Sequence, residues 1–249
     1  MSYSSCARSG TKTVSLFFKY AILFRLTKVS SFCLKRVKTI HITCIPISCR
    51  TLQSTRLRET IISSVASAGP YFFSRGHLIA KTDLIYGSHQ RTTFFYVNAV
   101  PMWQNVNAGN WLAMESSVRA YASRRNLDLD VWVGGYGVLT LMDNKGQPRE
   151  IYLSLSENDK GIVPVPKVMF KVVYNYRTRS GVVFLTANNP YLEHLSDDYR
   201  ICTDVCKKID YITWNRTQAD RGMSYCCEVN DFRRAFPGIP CFETTRLLL

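Results

Sequence analysis

The stretch Asn107-Ala108-Gly109-Asn110-Trp111-Leu112-Ala113-Met114-Glu115-Ser116-Ser117-Val118-Arg119-Ala120-Tyr121 decides the fold class. Trp111, Met114, Val118 and Tyr121 recur at spacings of three, four and three, the period of a helix with one buried stripe. Asn107 or Asn110 suits the N-cap, and Glu115 stands four residues before Arg119, off the stripe. On both sides the chain reads as short strands with turn signals. Upstream, Tyr71-Phe72-Phe73 and Thr92-Thr93-Phe94-Phe95-Tyr96-Val97 are β-favouring. Downstream, residues 131–142 and 151–155 flank a turn over Asp143-Asn144-Lys145-Gly146. A second hairpin runs through 168–176 and returns through 182–186. Gly134-Gly135-Tyr136-Gly137 lacks the Lys-Ser/Thr of a phosphate-cradling loop and reads as a bend within a strand. The expected class is α+β, an antiparallel sheet with few helices, as one domain over residues 59–249.

Residues 1–58 differ in kind. The chain of 249 residues has 32 Lys and Arg, 18 Asp and Glu and a net charge of +14; this segment holds 11 of the basic residues and no carboxylate. The remainder is left with 21 against 18, so charge says little about what the domain binds. The basic segment resembles a transit peptide in composition, and its lack of periodicity also fits sequence foreign to the domain. Its longest apolar run, residues 14–24, is interrupted by Lys19, and no membrane-spanning helix is expected. Basic residues ahead of an apolar stretch suit a secretory signal, whereas the lysine and the lack of a small-x-small cleavage site do not.

Five of nine cysteines fall between Cys202 and Cys241: Cys202, Cys206, Cys226, Cys227 and Cys241. Disulfides and an oxidising compartment are favoured over zinc, because an adjacent Cys226-Cys227 pair is awkward for tetrahedral chelation and no histidine lies nearby in sequence. One of the five must be free or pair with Cys6, Cys33, Cys44 or Cys49, and the connectivity is open. The triplet Asn215-Arg216-Thr217 is compatible with glycosylation of a secreted chain.

Most catalytic templates fail: the sequence has no G-x-S-x-G elbow and no H-E-x-x-H. Of the histidines at 41, 77, 89 and 194, only His77 is flanked by chemistry; His89 and His194 read as structural or surface. Three motifs then occur in order: Arg75-Gly76-His77-Leu78; Thr93-Phe94-Phe95-Tyr96-Val97-Asn98-x-x-Pro101; and Asn107-x-Gly109-x-Trp111-x-x-x-Glu115-x-x-x-Arg119. Together they resemble the DNA/RNA non-specific endonuclease family, the ββα-metal or His-Me finger nucleases. Residues 103–107 and 225–227 look most like secreted insect members, including enzymes that degrade double-stranded RNA.

The resemblance, covering about residues 70–240, implies a ββα-metal fold whose helix carries the metal ligand. It implies His77 as general base, Asn107 as the single protein ligand of a hydrated Mg²⁺ (or Mn²⁺), and Asn98 as the residue orienting the histidine. Glu115 would hold metal-bound water, Arg119 would lie near the scissile phosphate, and Arg75 would match the arginine before Gly-His. The expected activity is sugar-non-specific hydrolysis of DNA and RNA, double-stranded RNA included, with no membrane partner. An extracellular location is expected, with a mitochondrial one as runner-up. An inactive or truncated nucleic-acid-binding relative is the alternative activity.

The physical chemistry agrees with these roles. A neutral imidazole can activate water near pH 7, and Mg²⁺ needs few protein ligands. Each residue has a plainer reading: Asn107 as N-cap, Asn98 as a strand-end turn residue, Glu115 with Arg119 as a surface i,i+4 pair. Two departures stand out. Ser74 precedes Arg-Gly-His where the family often has an acidic or small residue, and Met102 follows Pro101 where it has glutamine. The family's strands and phosphate-contacting arginine upstream of Arg75 find no match in residues 1–70, so the domain is expected to lack them.

Overall fold

A computed structural model describes residues 21–26, 40–43, 71–153, 161–240 and 243–249, the first two stretches as backbone only. The architecture is α+β. The strands are β1 (Ala21–Leu26), β2 (Ile40–Thr43), β3 (Phe73–His77), β4 (Ala99–Trp103), β5 (Leu129–Val138), β6 (Thr140–Met142), β7 (Pro148–Glu150), β8 (Pro166–Asn175), β9 (Ser180–Ala187), β10 (Ser224–Cys227) and β11 (Arg246–Leu247). The helices are α1 (Gly87–Thr92), α2 (Gln104–Val106), α3 (Leu112–Arg125) and α4 (Val229–Ala235), and the segment Asn107–Trp111, kinked at Gly109, joins α2 to α3.

The main sheet runs β10-β9-β8-β5-β1-β2, with β11 parallel to β9 beyond the end of β10. Its centre is the expected second hairpin, with Val173 of β8 opposite Val182 of β9. Asn175 shapes the turn, its side-chain oxygen accepting from the N–H groups of Arg177 and Thr178. Both strands are buried on both faces, which explains their near-continuous apolar sequence. On one face Phe170 packs against Phe232 and Phe236 of the α4 region. One residue on, Lys171 points to the opposite face and lies over the ring of Trp111, where α3 begins. The stripe Trp111, Met114, Val118 and Tyr121 is fully buried there, as its spacing predicts.

The other expected hairpin is shorter than its sequence suggested. The strand returning across Asp143–Gly146 is β7 at Pro148–Glu150, and its partner is only β6. Residues 129–138 instead form β5, which pairs with β8 on one side and β1 on the other. The glycine-rich stretch lies within β5, as expected.

Strands β1 and β2 fall in the basic segment that sequence reasoning placed outside the domain. Ala21 lies opposite Gly134 and Leu26 opposite Leu129, so the backbone of this segment occupies the edge of β5. Short apolar runs read ambiguously, and this one has no turn signals to mark it. Among the described residues no helix is long and apolar enough to cross a membrane.

The cysteine reading holds for the described residues. Cys202 is bonded to Cys227 and Cys206 to Cys226. Asp204, Cys206 and Cys226 converge as potential metal ligands, but both sulfurs are consumed by their own disulfide. Cys241 and the four N-terminal cysteines lie outside the described residues.

Candidate active site

The site is built on a β-hairpin and the helix that follows it. Strands β3 and β4 pair with His77 opposite Ala99 and Gly76 opposite Val100. Gly76 is required by the close approach of β4: a Cβ there would lie 2.7 Å from the Cβ of Met102. Met102 is completely buried and fills this contact. The hairpin is fastened to the sheet by Asn188. Its side-chain oxygen accepts from the Trp103 N–H at 3.0 Å, and its amide donates to the carbonyls of Pro101 and Pro166.

The aromatic run expected as a strand differs from the sequence reading. The partner of β3 begins at Ala99, and Tyr96–Asn98 form a single 3₁₀ turn. Asn98 explains this. It is buried, its amide donates to the carbonyls of Thr93 and Ile79 at 2.8 and 3.1 Å, and its oxygen accepts from the Ile79 N–H at 2.9 Å. These bonds use the polar groups a strand would give to a ladder and fold residues 93–98 into a turn instead. These bonds of the Asn98 side chain go to backbone groups and none to the imidazole. It holds the backbone two residues beyond His77.

His77 sits at the end of β3, half-buried, edge-on to the ring of Phe94 at 4.7 Å. Its Nε2 is buried and has no hydrogen-bond partner. Burial, then the charges of Arg75 and Lys81, hold its pKa below the ordinary imidazole value. The neutral base is therefore favoured.

Asn107 is not an N-cap: its backbone is helical, the helical path begins three residues earlier at Gln104, and the chain kinks two residues later at Gly109. Its amide nitrogen lies 3.1 Å from the hydroxyl oxygen of Ser74, which is 3.2 Å from the Met102 carbonyl. A hydroxyl has one proton. With that proton donated to the carbonyl, Ser74 can only accept from Asn107, which directs the amide nitrogen to the strand and leaves Oδ1 free. Nothing in the sequence signalled this bond, which spans 33 positions. Asn110, the other suggested cap, is fully buried and donates to the carbonyls of Asn215 and Gly222, tying the helix start to a distant loop.

Glu115 and Arg119 do not pair with each other. Glu115 follows Trp111 by one helical turn, so the helix turns it inward next to the stripe, and it is buried. Its partner is Lys171 on β8 at 3.5 Å, an ion pair that leaves the carboxylate Oε1 without a hydrogen bond. Burial foremost raises its pKa to about 7, against the lowering effect of Lys171. Arg119 donates to Asp83 at 2.9 Å and to the Ser116 hydroxyl at 3.0 Å. Asp83 is buried, with its second oxygen unbonded. Asp83 and Lys171 were thus missed, because their elements reach the helix only through the tertiary fold.

His89 and His194 are exposed, as expected. His41 lies on β2, and its side chain is outside the described residues. A cavity of about 330 Å³ elsewhere, lined by His194, Arg200, Asp204 and Arg216 among others, includes none of these site residues. Asp204 and Arg216 in its lining form an ion pair.

Residues 49–232 match the family described as DNA/RNA non-specific endonuclease, and the chain belongs to that family. It is 31% identical over 164 residues to a salivary endonuclease of Lutzomyia longipalpis, covering 65% of this chain and 38% of that protein. It is 31% identical over 169 residues to salivary protein Tsal1 of Glossina morsitans morsitans, covering 67% and 41%. It is 26% identical over 170 residues to the mitochondrial nuclease EXOG of Xenopus laevis, covering 65% and 46%. The chain thus spans about two fifths of the length of the salivary relatives it matches. Among solved structures, one of an EndoG/EndoGI complex aligns with TM-score 0.40 and 16% identity over 74% of this chain and 66% of that one.

Proposed function

We propose that this protein is a Mg²⁺-dependent sugar-non-specific endonuclease that hydrolyses phosphodiester bonds of DNA and RNA, double-stranded RNA included. The observation that carries the reading is the Asn107–Ser74 hydrogen bond, which joins the helix to the strand bearing His77 while leaving the Asn107 oxygen free. A hard cation takes oxygen ligands, and that oxygen, with the buried Glu115 carboxylate, paired with Lys171, to hold coordinated water, fits a sparsely ligated Mg²⁺ or Mn²⁺. When bound, the ion neutralises charge on the phosphate and its leaving oxygen.

The remaining work falls to side chains. His77, kept neutral by its surroundings, accepts a proton from the attacking water. Arg75 is exposed two residues away on the same strand face and donates to the phosphate. Arg119, fixed by Asp83 and Ser116, contributes its charge from a set position. Asn98 is a positioning residue acting through the backbone of Ile79. These contacts address the phosphate and leave base identity unread. The two disulfides and the salivary relatives support an extracellular setting over a mitochondrial one.

The test is cleavage of supercoiled DNA and long double-stranded RNA with Mg²⁺ or EDTA, comparing wild type with His77→Ala and Asn107→Ala. Cleavage abolished by EDTA and lowered at least about a hundredfold in both variants is expected, the scale lost with a general base. A folded wild type that leaves both substrates intact overturns the reading.

A further inference from the structure

Residues 94–97 present four large apolar side chains in succession to solvent, with exposures of 38% for Phe94, 63% for Phe95, 71% for Tyr96 and 60% for Val97. β-favouring sequence normally ends in a half-buried sheet. Here the Asn98 bonds divert it into a surface turn, and local preference overruled in this way is expected where function intervenes. Neither Phe95 nor Tyr96 stacks on another ring among the described residues.

The turn is held firmly. Phe95 N–H donates to Thr92, Asn98 N–H to Phe95, and the Asn98 side chain to Thr93. The strip is also continuous with the site, since Phe94 touches the His77 ring. The Arg75 guanidinium and the Lys81 ammonium lie 5.8 and 5.9 Å from the Phe94 centroid. From Tyr71 to Met114 the only carboxylate is Asp83, which is buried and paired with Arg119. Exposed rings bordered by cations that have no ion pair among the described residues, beside the proposed general base, match a polyanion with exposed aromatic faces.

We propose that Phe95 and Tyr96 form a stacking platform for an unpaired nucleobase adjoining the scissile phosphate, an inference that rests on the nuclease reading above. Cations at Arg75 and Lys81 take the flanking phosphates. Bases within a duplex are already stacked on each other, so the platform adds affinity for single strands and frayed or looped segments only. Stacking on a protein ring tolerates any base, in keeping with sequence-indifferent cleavage.

The experiment uses the full chain in EDTA and a single-stranded oligonucleotide containing 2-aminopurine, whose fluorescence is quenched on stacking, with the matching duplex as control. Phe95→Ala/Tyr96→Ala is expected to lose the quench and weaken single-strand binding about tenfold or more, as for removal of a stacking ring. Duplex binding should change less than about twofold, since phosphate contacts carry it. Phe95→Leu/Tyr96→Leu, which keeps apolar bulk without the rings, should behave like the alanine variant. Unchanged quenching, equal loss of single-strand and duplex binding, or leucine variants that bind like wild type would overturn the proposal. So would a wild-type dimer that the variants dissolve, which would make the strip an interface between copies. A wild type that neither binds nor cuts nucleic acid would sink the nuclease reading itself, whereas a cutting wild type with indifferent variants removes only the platform.

Discussion

The proposed role of His77 as base requires it to be neutral, and burial, Arg75 and Lys81 all favour that form. The sign follows directly. A depressed pKa keeps the imidazole unprotonated further into acid, so the acidic limb of kcat/KM should fall below the ordinary imidazole value. Lys81→Gln removes one of the repelling charges and should move that limb to higher pH. A pH–rate profile identical in wild type and Lys81→Gln would show that the lysine does not set the base. Ser74 offers a second prediction. Ser74→Ala frees the Asn107 amide to rotate, and Mn²⁺ binding, followed by water-proton relaxation without substrate, should weaken about two- to tenfold, the worth of one hydrogen bond. Ser74→Thr keeps the hydroxyl and should restore it; if alanine binds Mn²⁺ as well as serine, the bond does not orient the amide. His77 and Asn107 could be singled out in sequence as candidates because their motifs are local. The hydroxyl that holds the asparagine was not, because 33 positions separate the two and only strand pairing brings them together.

At the scale of the element, the β3–β4 hairpin depends on a glycine that no side chain can replace without movement. Gly76→Ala drives a methyl into Met102, and overpacking of this kind costs about 1–3 kcal/mol. Urea unfolding should show a lower midpoint with an unchanged slope, and Met102→Ala on the same background should recover part of the loss. A Gly76→Ala protein as stable as wild type would mean that β4 yields easily. The helix was readable from its stripe, and the central hairpin from its β-branched run. The burial of Glu115 was not, although its place one turn after Trp111 carried the signal. A carboxylate in an amphipathic pattern is read as solvated, and only the partner Lys171, buried on another element, makes the inward position tolerable. The strand expected at Thr92–Val97 failed for the opposite reason: its apolar side chains are real, but Asn98 withdraws the backbone that would have paired them.

Across the whole molecule, the sheet order could not be read at all. The edge of β5 is taken by β1, from a segment whose charge bias pointed away from the domain, and strand pairing at such separation leaves no local mark. Disulfides were legible as a class, while their pairing was not, since four cysteines admit three connectivities. Reduction under native conditions should lower stability by about 3 kcal/mol for each bridge, from the loop lengths enclosed, and should lower the thermal midpoint. A midpoint indifferent to reductant would show that packing alone holds this end of the sheet. The arrangement has a further consequence. Neighbouring positions of a strand face opposite sides, so Cys226 and Cys227 reach Cys206 and Cys202 from the two sides of β10, and the segment between them straddles the strand. A protease that nicks the connection from Lys207 to Tyr225 would therefore sever the peptide without releasing a piece: the two fragments would stay one covalent body, migrating as a single band until a thiol is added.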